Sequence, residues 1–189
     1  MPPGIKVTKE QMIEAAYQMT RKNGFESVTA RRLAKELGCS TQPIFRVYPG
    51  MDALKEEVRE KASAEFNEKL TAGLLKDSQM MATLQNVGMT YLEFAVQEKN
   101  LFRMLFLEES PEGGRFEDML YGRDLKSILL KKEGKPGAPV LSLVERQYLF
   151  MQMWIFAHGM ASMAVTGDLS LDEKDIRDLL NNMLTQYMG

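Results

Sequence analysis

Val28-Thr29-Ala30-Arg31-Arg32-Leu33-Ala34-Lys35-Glu36-Leu37-Gly38-Cys39-Ser40-Thr41-Gln42-Pro43-Ile44-Phe45-Arg46-Val47-Tyr48 decides how this chain is read. Thr29 is placed to cap a helix, because its hydroxyl accepts a hydrogen bond from an orphan amide of the first turn. Leu33, Ala34 and Leu37 follow at helical spacing and give that helix an apolar face. Gly38 ends it, since the residue after a helix often needs positive φ and glycine adopts it without steric cost. Ser40 is expected to cap a second helix, in which Ile44 and Val47 are three apart and read as the inward face. Two short helices joined by a tight turn make a helix-turn-helix, the arrangement that sets its second helix in the major groove of DNA.

The surrounding sequence extends that pattern. Thr8 with Gln11 forms a capping box for a first helix to about Lys22, with Ile13, Ala16, Tyr17 and Thr20 on one face. Asn23-Gly24 closes it, and Phe25 and Val28 are expected to fill the gap to the motif. After Pro49-Gly50 a long helix is predicted from Met51 to Leu75.

Ile13, Ala15, Ala16, Gly24, Thr29, Leu33-Ala34, Leu37-Gly38, Ser40, Ile44-Phe45 and Leu54 together resemble the signature of the TetR family of one-component transcription regulators. Near the C-terminus, Trp154, His158 and Gly159 are similar to the Trp…His-Gly motif of one C-terminal subgroup of that family. The resemblance implies an all-α homodimer: a three-helix helix-turn-helix head joined to a larger helical-bundle body that binds a small molecule and dimerises, about nine helices in all. The head is expected over residues 1–50 and the ligand-binding and dimerisation body over 51–189. The sequence departs from the family where Phe45, Val47 and Met51 replace the usual Tyr, His and Lys, which commonly hold DNA phosphates. Other residues must supply those contacts, with Arg46, Tyr48 and Lys55 as candidates.

Composition agrees with DNA contact at one end only. The chain of 189 residues is 44% hydrophobic and 26% charged, ordinary values for a globular protein, with net charge −2. Residues 1–48 carry eight Lys/Arg against four Asp/Glu, which leaves sixteen against twenty-two for the remainder. A mildly basic head on an acidic body follows. Within the second motif helix, Arg46 can pair with guanine and Gln42 with adenine, while Pro43 offers a flat surface to a thymine methyl. Thr41 and Phe45 also point away from the core, and Thr29, Arg31 and Tyr48 are candidates for the phosphate backbone.

The body reads as further helices over about 78–99, 101–109, 116–132, 141–166 and 171–188, with a Gly/Pro-rich loop at 133–139 and a second capping box at Ser170 and Glu173. Methionine is abundant, fifteen in all, and it suits adaptable apolar pockets as well as plain cores. Tyr91, Phe102, Phe106, Met151, Trp154 and His158 are the candidate lining of a small-molecule site for an apolar or amphipathic ligand. Ala157, Ala161 and Ala164, with Leu180 and Leu184, are expected at a two-fold dimer interface.

Other classes fare less well. No phosphate-cradling glycine loop, nucleophile motif or zinc ligand set occurs, so no catalytic residue, metal or cofactor is expected and the chain does not read as an enzyme. Residues 148–165 form a long apolar stretch, but Gln152, His158 and Ser162 interrupt it, favouring a helix buried within the protein over a membrane span. The single cysteine, Cys39, and the lack of a signal-like N-terminus fit a cytoplasmic protein. The expected function is a ligand-responsive repressor released from a palindromic operator in double-stranded DNA. The alternatives are an activator with the same head, or a helical interaction module whose DNA binding has decayed.

Overall fold

The computed structural model describes residues 7–75, 79–108, 141–170 and 172–186, and among these it contains eight α-helices and no strand. The helix expected over 116–132 and the loop at 133–139 lie outside the described residues. The chain divides into two compact units, residues 1–65 with 98–108, and residues 66–97 with 109–189. The sequence suggested a break at residue 50; the division instead falls inside the long helix after Glu65.

The first unit starts with α1 (Lys9–Asn23), whose capping box is formed as expected. The Gln11 amide donates to Thr8 Oγ1 at 3.3 Å and the Thr8 amide donates to Gln11 Oε1 at 2.9 Å. Gly24 (φ 85°) stops it, and a single 3-10 turn, Phe25–Ser27, leads to α2 (Ala30–Glu36). Thr29 caps α2 by accepting from the Arg32 amide, and Gly38 turns the chain at φ 65°. The next helix, α3 (Gln42–Val47), departs from expectation at its start: its N-cap is Thr41, not Ser40, and no side chain caps it. Pro43 occupies the first turn, where a missing N–H breaks no intrahelical bond.

Met12, Ala16, Leu33, Ile44, Leu54 and Val58 meet in the core of this unit with no exposed surface. Each large side chain so buried contributes about 1.5–3 kcal/mol. The long helix α4 (Met51–Leu75) is also tied to α1 by polar contacts. Lys9 pairs with Glu57 at 2.7 Å, Lys61 bridges Glu14 and Glu65, and the Tyr17 hydroxyl donates to Glu65 at 2.6 Å.

A return segment completes the unit: α6 (Lys99–Phe102) runs into one π-helical turn, Arg103–Leu107, where the sequence suggested one short helix. Leu101, Phe102 and Met104 are buried there. Arg59 on α4, only 8% exposed, donates to the Met104 carbonyl at 2.8 Å and stacks 4.5 Å from the Phe25 ring centroid. A buried guanidinium needs such partners to offset its lost hydration.

The second unit is built on α5 (Met80–Gln97), α7 (Leu143–Thr166) and α8 (Glu173–Thr185), with the end of α4. Ser142 and Glu145 make the capping box of α7, and Gly167 ends it in the left-handed region. The box at the start of α8 is Asp172 with Asp175 rather than Ser170 with Glu173, so the helix begins two residues later than expected. Gly88 lets α5 approach α8: a Cβ there would meet both Leu180 methyl groups at 3.1 Å and Met153 Sδ at 3.4 Å. Among the described residues α7 is the one helix long and apolar enough to cross a membrane. Leu149, Met153, Trp154, Ala157, Met160 and Ala161 make its buried side, while Tyr148, Gln152, Ile155, Gly159 and Met163 are exposed. It is a one-sided helix rather than one covered on most sides.

Candidate functional site

The orientation of α3 follows from one residue. Ile44 has no exposed surface, and at about 100° per residue the opposite side of the helix carries Gln42 and Arg46. Both are exposed. Phe45 flanks this pair on one side and is 52% exposed; Pro43 and Val47 flank it on the other. Val47 had been expected inward, yet it is 43% exposed, because it lies about 60° around the axis from Ile44 rather than behind it. Ser40 is exposed and Thr41 half-buried at the head of the helix. Arg31, Arg32 and Lys35 are exposed on α2, and Thr29 is exposed while its hydroxyl serves the cap.

Tyr48 requires correction. It is 3% exposed, its hydroxyl donates to Glu57 at 3.1 Å, and Lys9 lies 5.8 Å from its ring centroid. Burial and the neighbouring Glu57 carboxylate push its phenol above the usual tyrosine range, so the hydroxyl stays protonated and committed to α4. Lys55 is half-buried with its ammonium 4.9 Å from the Phe25 ring centroid, a cation–π position.

The candidate ligand-binding residues divide between the units. Phe102 and Phe106 belong to the first, with ring centroids 5.0 Å apart. Tyr91, Met151, Trp154 and His158 belong to the second. There the Tyr91 ring centroid lies 4.4 Å from Trp154 and 5.8 Å from Phe66, and Phe66 also packs against Phe94 at 4.9 Å. The Tyr91 hydroxyl and His158 Nδ1 are 2.7 Å apart. Burial raises the Tyr91 phenol above its usual range and lowers the His158 imidazole below 6.5, so both prefer to be neutral. Met151 is half-buried on the same helix.

Four of the five residues expected at a dimer interface are already covered within the chain. Ala157, Ala161, Leu180 and Leu184 are buried in the second unit, and Ala164 is half-buried. The small side chains of α7 serve the packing of one chain.

A match to the family described as tetracyclin repressor-like, C-terminal domain, spans residues 84–187. The chain belongs to that family. Nucleoid occlusion factor SlmA of Haemophilus influenzae is 28% identical over 102 residues, 53% of this chain and 47% of that protein. The chain thus spans about half the length of the curated relatives it matches. A TetR-like transcriptional regulator from Rhodococcus sp. RHA1 has the same architecture, with a TM-score of 0.65 at 15% identity over 98% of this chain and 97% of that one. Transcriptional regulator FadR from Bacillus subtilis, solved in complex with stearoyl-CoA, gives a TM-score of 0.61 at 16% identity over 96% and 98% of the two chains. The fold is therefore the TetR-like all-α fold.

Three features of this tetracyclin repressor-like chain escaped the sequence reading. Phe66 and Phe94 join the aromatic cluster; the i, i+4 spacing of Ala62, Phe66 and Leu70 marked the first of them. The exposed stripe Val144, Tyr148, Gln152, Ile155, Gly159 and Met163 on α7 was legible in its three- and four-residue steps. The return of residues 98–108 to the first unit had no local signal.

Proposed function

We propose that this protein is a sequence-specific, ligand-responsive DNA-binding regulator of transcription. The observation that carries this reading is the outward face of α3, where Gln42, Phe45 and Arg46 stand exposed around a buried Ile44. Arg46 pairs with guanine O6 and N7 and Gln42 with adenine N6 and N7, while Arg31 and the exposed end of α2 meet the phosphates. The working form is a homodimer joined through the exposed stripe of α7, including Ile155 and Tyr148, with Leu179 of α8 exposed near the C-terminus of the body. Gly159 supports this choice, since it sits within the stripe and a Cβ there would meet no atom of the described residues within 4 Å. Two heads then read half-sites about 34–36 Å apart in an inverted repeat.

The ligand is apolar or amphipathic, and the second unit takes it beside Tyr91, Trp154 and His158. The aromatic cluster supports this chemistry, as does the stearoyl-CoA complex of the B. subtilis regulator. The protein acts in the cytoplasm as a repressor, released when ligand favours a dimer whose heads no longer fit adjacent grooves. The similarity to a nucleoid occlusion factor favours a second reading, in which DNA occupancy itself is the output.

Selection of binding sites from random duplex DNA at near-physiological salt tests the first reading. Enrichment of an inverted repeat is the expected result. A folded dimer that enriches nothing overturns sequence-specific binding. Sites spread across a chromosome away from promoters would favour the second reading.

A further inference from the structure

Phe45 is the least expected residue on the outward face of α3. Its ring is half exposed on a helix that carries no acidic side chain, next to Arg46 and in a unit whose α2 exposes Arg31, Arg32 and Lys35. Glu36 is the one exposed carboxylate on α2. An exposed phenyl ring costs solvation, and an apolar surface held within a basic one is a poor match for another protein's apolar face. It matches the major groove, where phosphates line the rim and the thymine C5 methyl is the apolar group on the floor. The ring has neither donor nor acceptor, so it cannot hold a phosphate and its contribution must be apolar contact.

Helix geometry fixes where that contact falls. Gln42 and Phe45 are three residues apart and share a side, with Phe45 about 60° around the axis from Gln42. The ring therefore meets the groove floor beside the base that Gln42 addresses, on the flank away from Pro43. We infer that Phe45 is a specificity-determining residue that reads a thymine methyl in each half-site, adjacent to the bases read by Gln42 and Arg46. This rests on the reading of the protein as a sequence-specific DNA binder and adds a base, and a chemical group on it, to that reading.

Deoxyuridine substitution isolates the methyl, because uracil pairs with adenine as thymine does and lacks only that group. Each thymine of the selected operator is replaced in turn and affinity is measured for the wild type, Phe45→Ala and Val47→Ala. One thymine per half-site is expected to lose about four-fold in wild-type affinity on replacement, the worth of one buried methyl. Replacing it in both half-sites should cost about sixteen-fold if the heads act independently. Phe45→Ala should bind the thymine and uracil operators equally, whereas Val47→Ala, on the opposite flank, should keep the wild-type discrimination. Equal uracil sensitivity in Phe45→Ala assigns the methyl to another residue and overturns the inference, as does a wild type indifferent to every replacement. Failure to bind any operator is a separate result: it removes the underlying reading. Phe45→Ala should fold normally, since the ring is exposed, and circular dichroism with retained low-salt DNA binding checks this.

Discussion

Arg21 on α1 donates through Nε and Nη2 to both carboxylate oxygens of Glu98, a residue 77 positions further along the chain, with the Nε bond at 2.7 Å. Asn100 adds a bond from Nδ2 to the Arg21 carbonyl at 3.0 Å. Glu98 is buried while the Arg21 side chain is half exposed. The carboxylate therefore depends on its partner more than the guanidinium does. This bidentate pair holds the return segment, residues 98–108, in the first unit.

Arg21→Ala leaves the Glu98 carboxylate buried without its fork. It should lower unfolding free energy by about 1–3 kcal/mol, toward the low end because solvent reaches the arginine side. Glu98→Gln should cost less, since a neutral amide tolerates the site. A double-mutant cycle in urea should give a coupling above about 1 kcal/mol. Strict additivity would show that the pair holds nothing in place.

Gly38 is the pivot of the helix-turn-helix, at φ 65° with nothing within 4 Å of a built Cβ. The cost of a side chain there is purely conformational, about 1–2 kcal/mol, less up to about 1 kcal/mol from stiffening the unfolded chain. Gly38→Ala should thus destabilise by about 1 kcal/mol, and Gly38→Asn by less. Gly50 is the control, with equal space around it and no positive φ, so Gly50→Ala should cost only the preference of the α4 N-cap position for glycine over alanine, about 0.5 kcal/mol. Urea midpoints decide this, and equal midpoints for the two alanine variants would refute it.

His158 gives the second unit a pH dependence with a definite sign. Burial holds its native pKa below the ordinary 6.5, so the unfolded chain binds the proton more readily. Stability is complete above about pH 6.5 and falls as pH drops through that unfolded value toward the lower native one. Protonating the ring also fixes Nδ1 as a donor toward the Tyr91 oxygen, 2.7 Å away. Loss of stability between about pH 7.5 and about pH 5.5 should be smaller in His158→Gln than in the wild type. Identical losses would mean that the imidazole titrates normally.

These tests also separate what the chain announces locally from what only packing decides. Thr8, Thr29, Gly38 and the start of α4 were legible because caps and positive-φ turns depend on four or five neighbouring residues. Ser40 and Ser170 misled because a second residue of N-cap type, Thr41 or Asp172, follows within two positions and takes the N-cap place, Asp172 with a side-chain bond and Thr41 without one, and local chemistry cannot rank them. The exposed face of α3 was read correctly for Gln42 and Arg46 but not for Val47, since three-residue spacing from Ile44 leaves a wide angular margin. Tyr48 looked like a surface hydroxyl until Glu57 on the next helix took it. Ala157 and Ala161 suit close helix approach, but the sequence does not say whether the approaching helix belongs to the same chain.

The same ambiguity sets the test of the proposed dimer. Tyr148 and Ile155 are 60% and 59% exposed on one side of α7, while Leu180 is fully buried against α5 within the chain. Ile155→Lys places a charge on the exposed stripe and should convert the dimer to a folded monomer with unchanged helicity, seen by light scattering after gel filtration. Tyr148→Lys should do the same. Leu180→Ala should instead lower unfolding free energy by about 2–5 kcal/mol, because it opens a cavity inside one chain. DNA separates the two further, since a monomeric Ile155→Lys keeps one intact head and should lose the inverted repeat while retaining weak half-site binding. A dimeric Ile155→Lys that still binds the full repeat would move the interface off this face of α7.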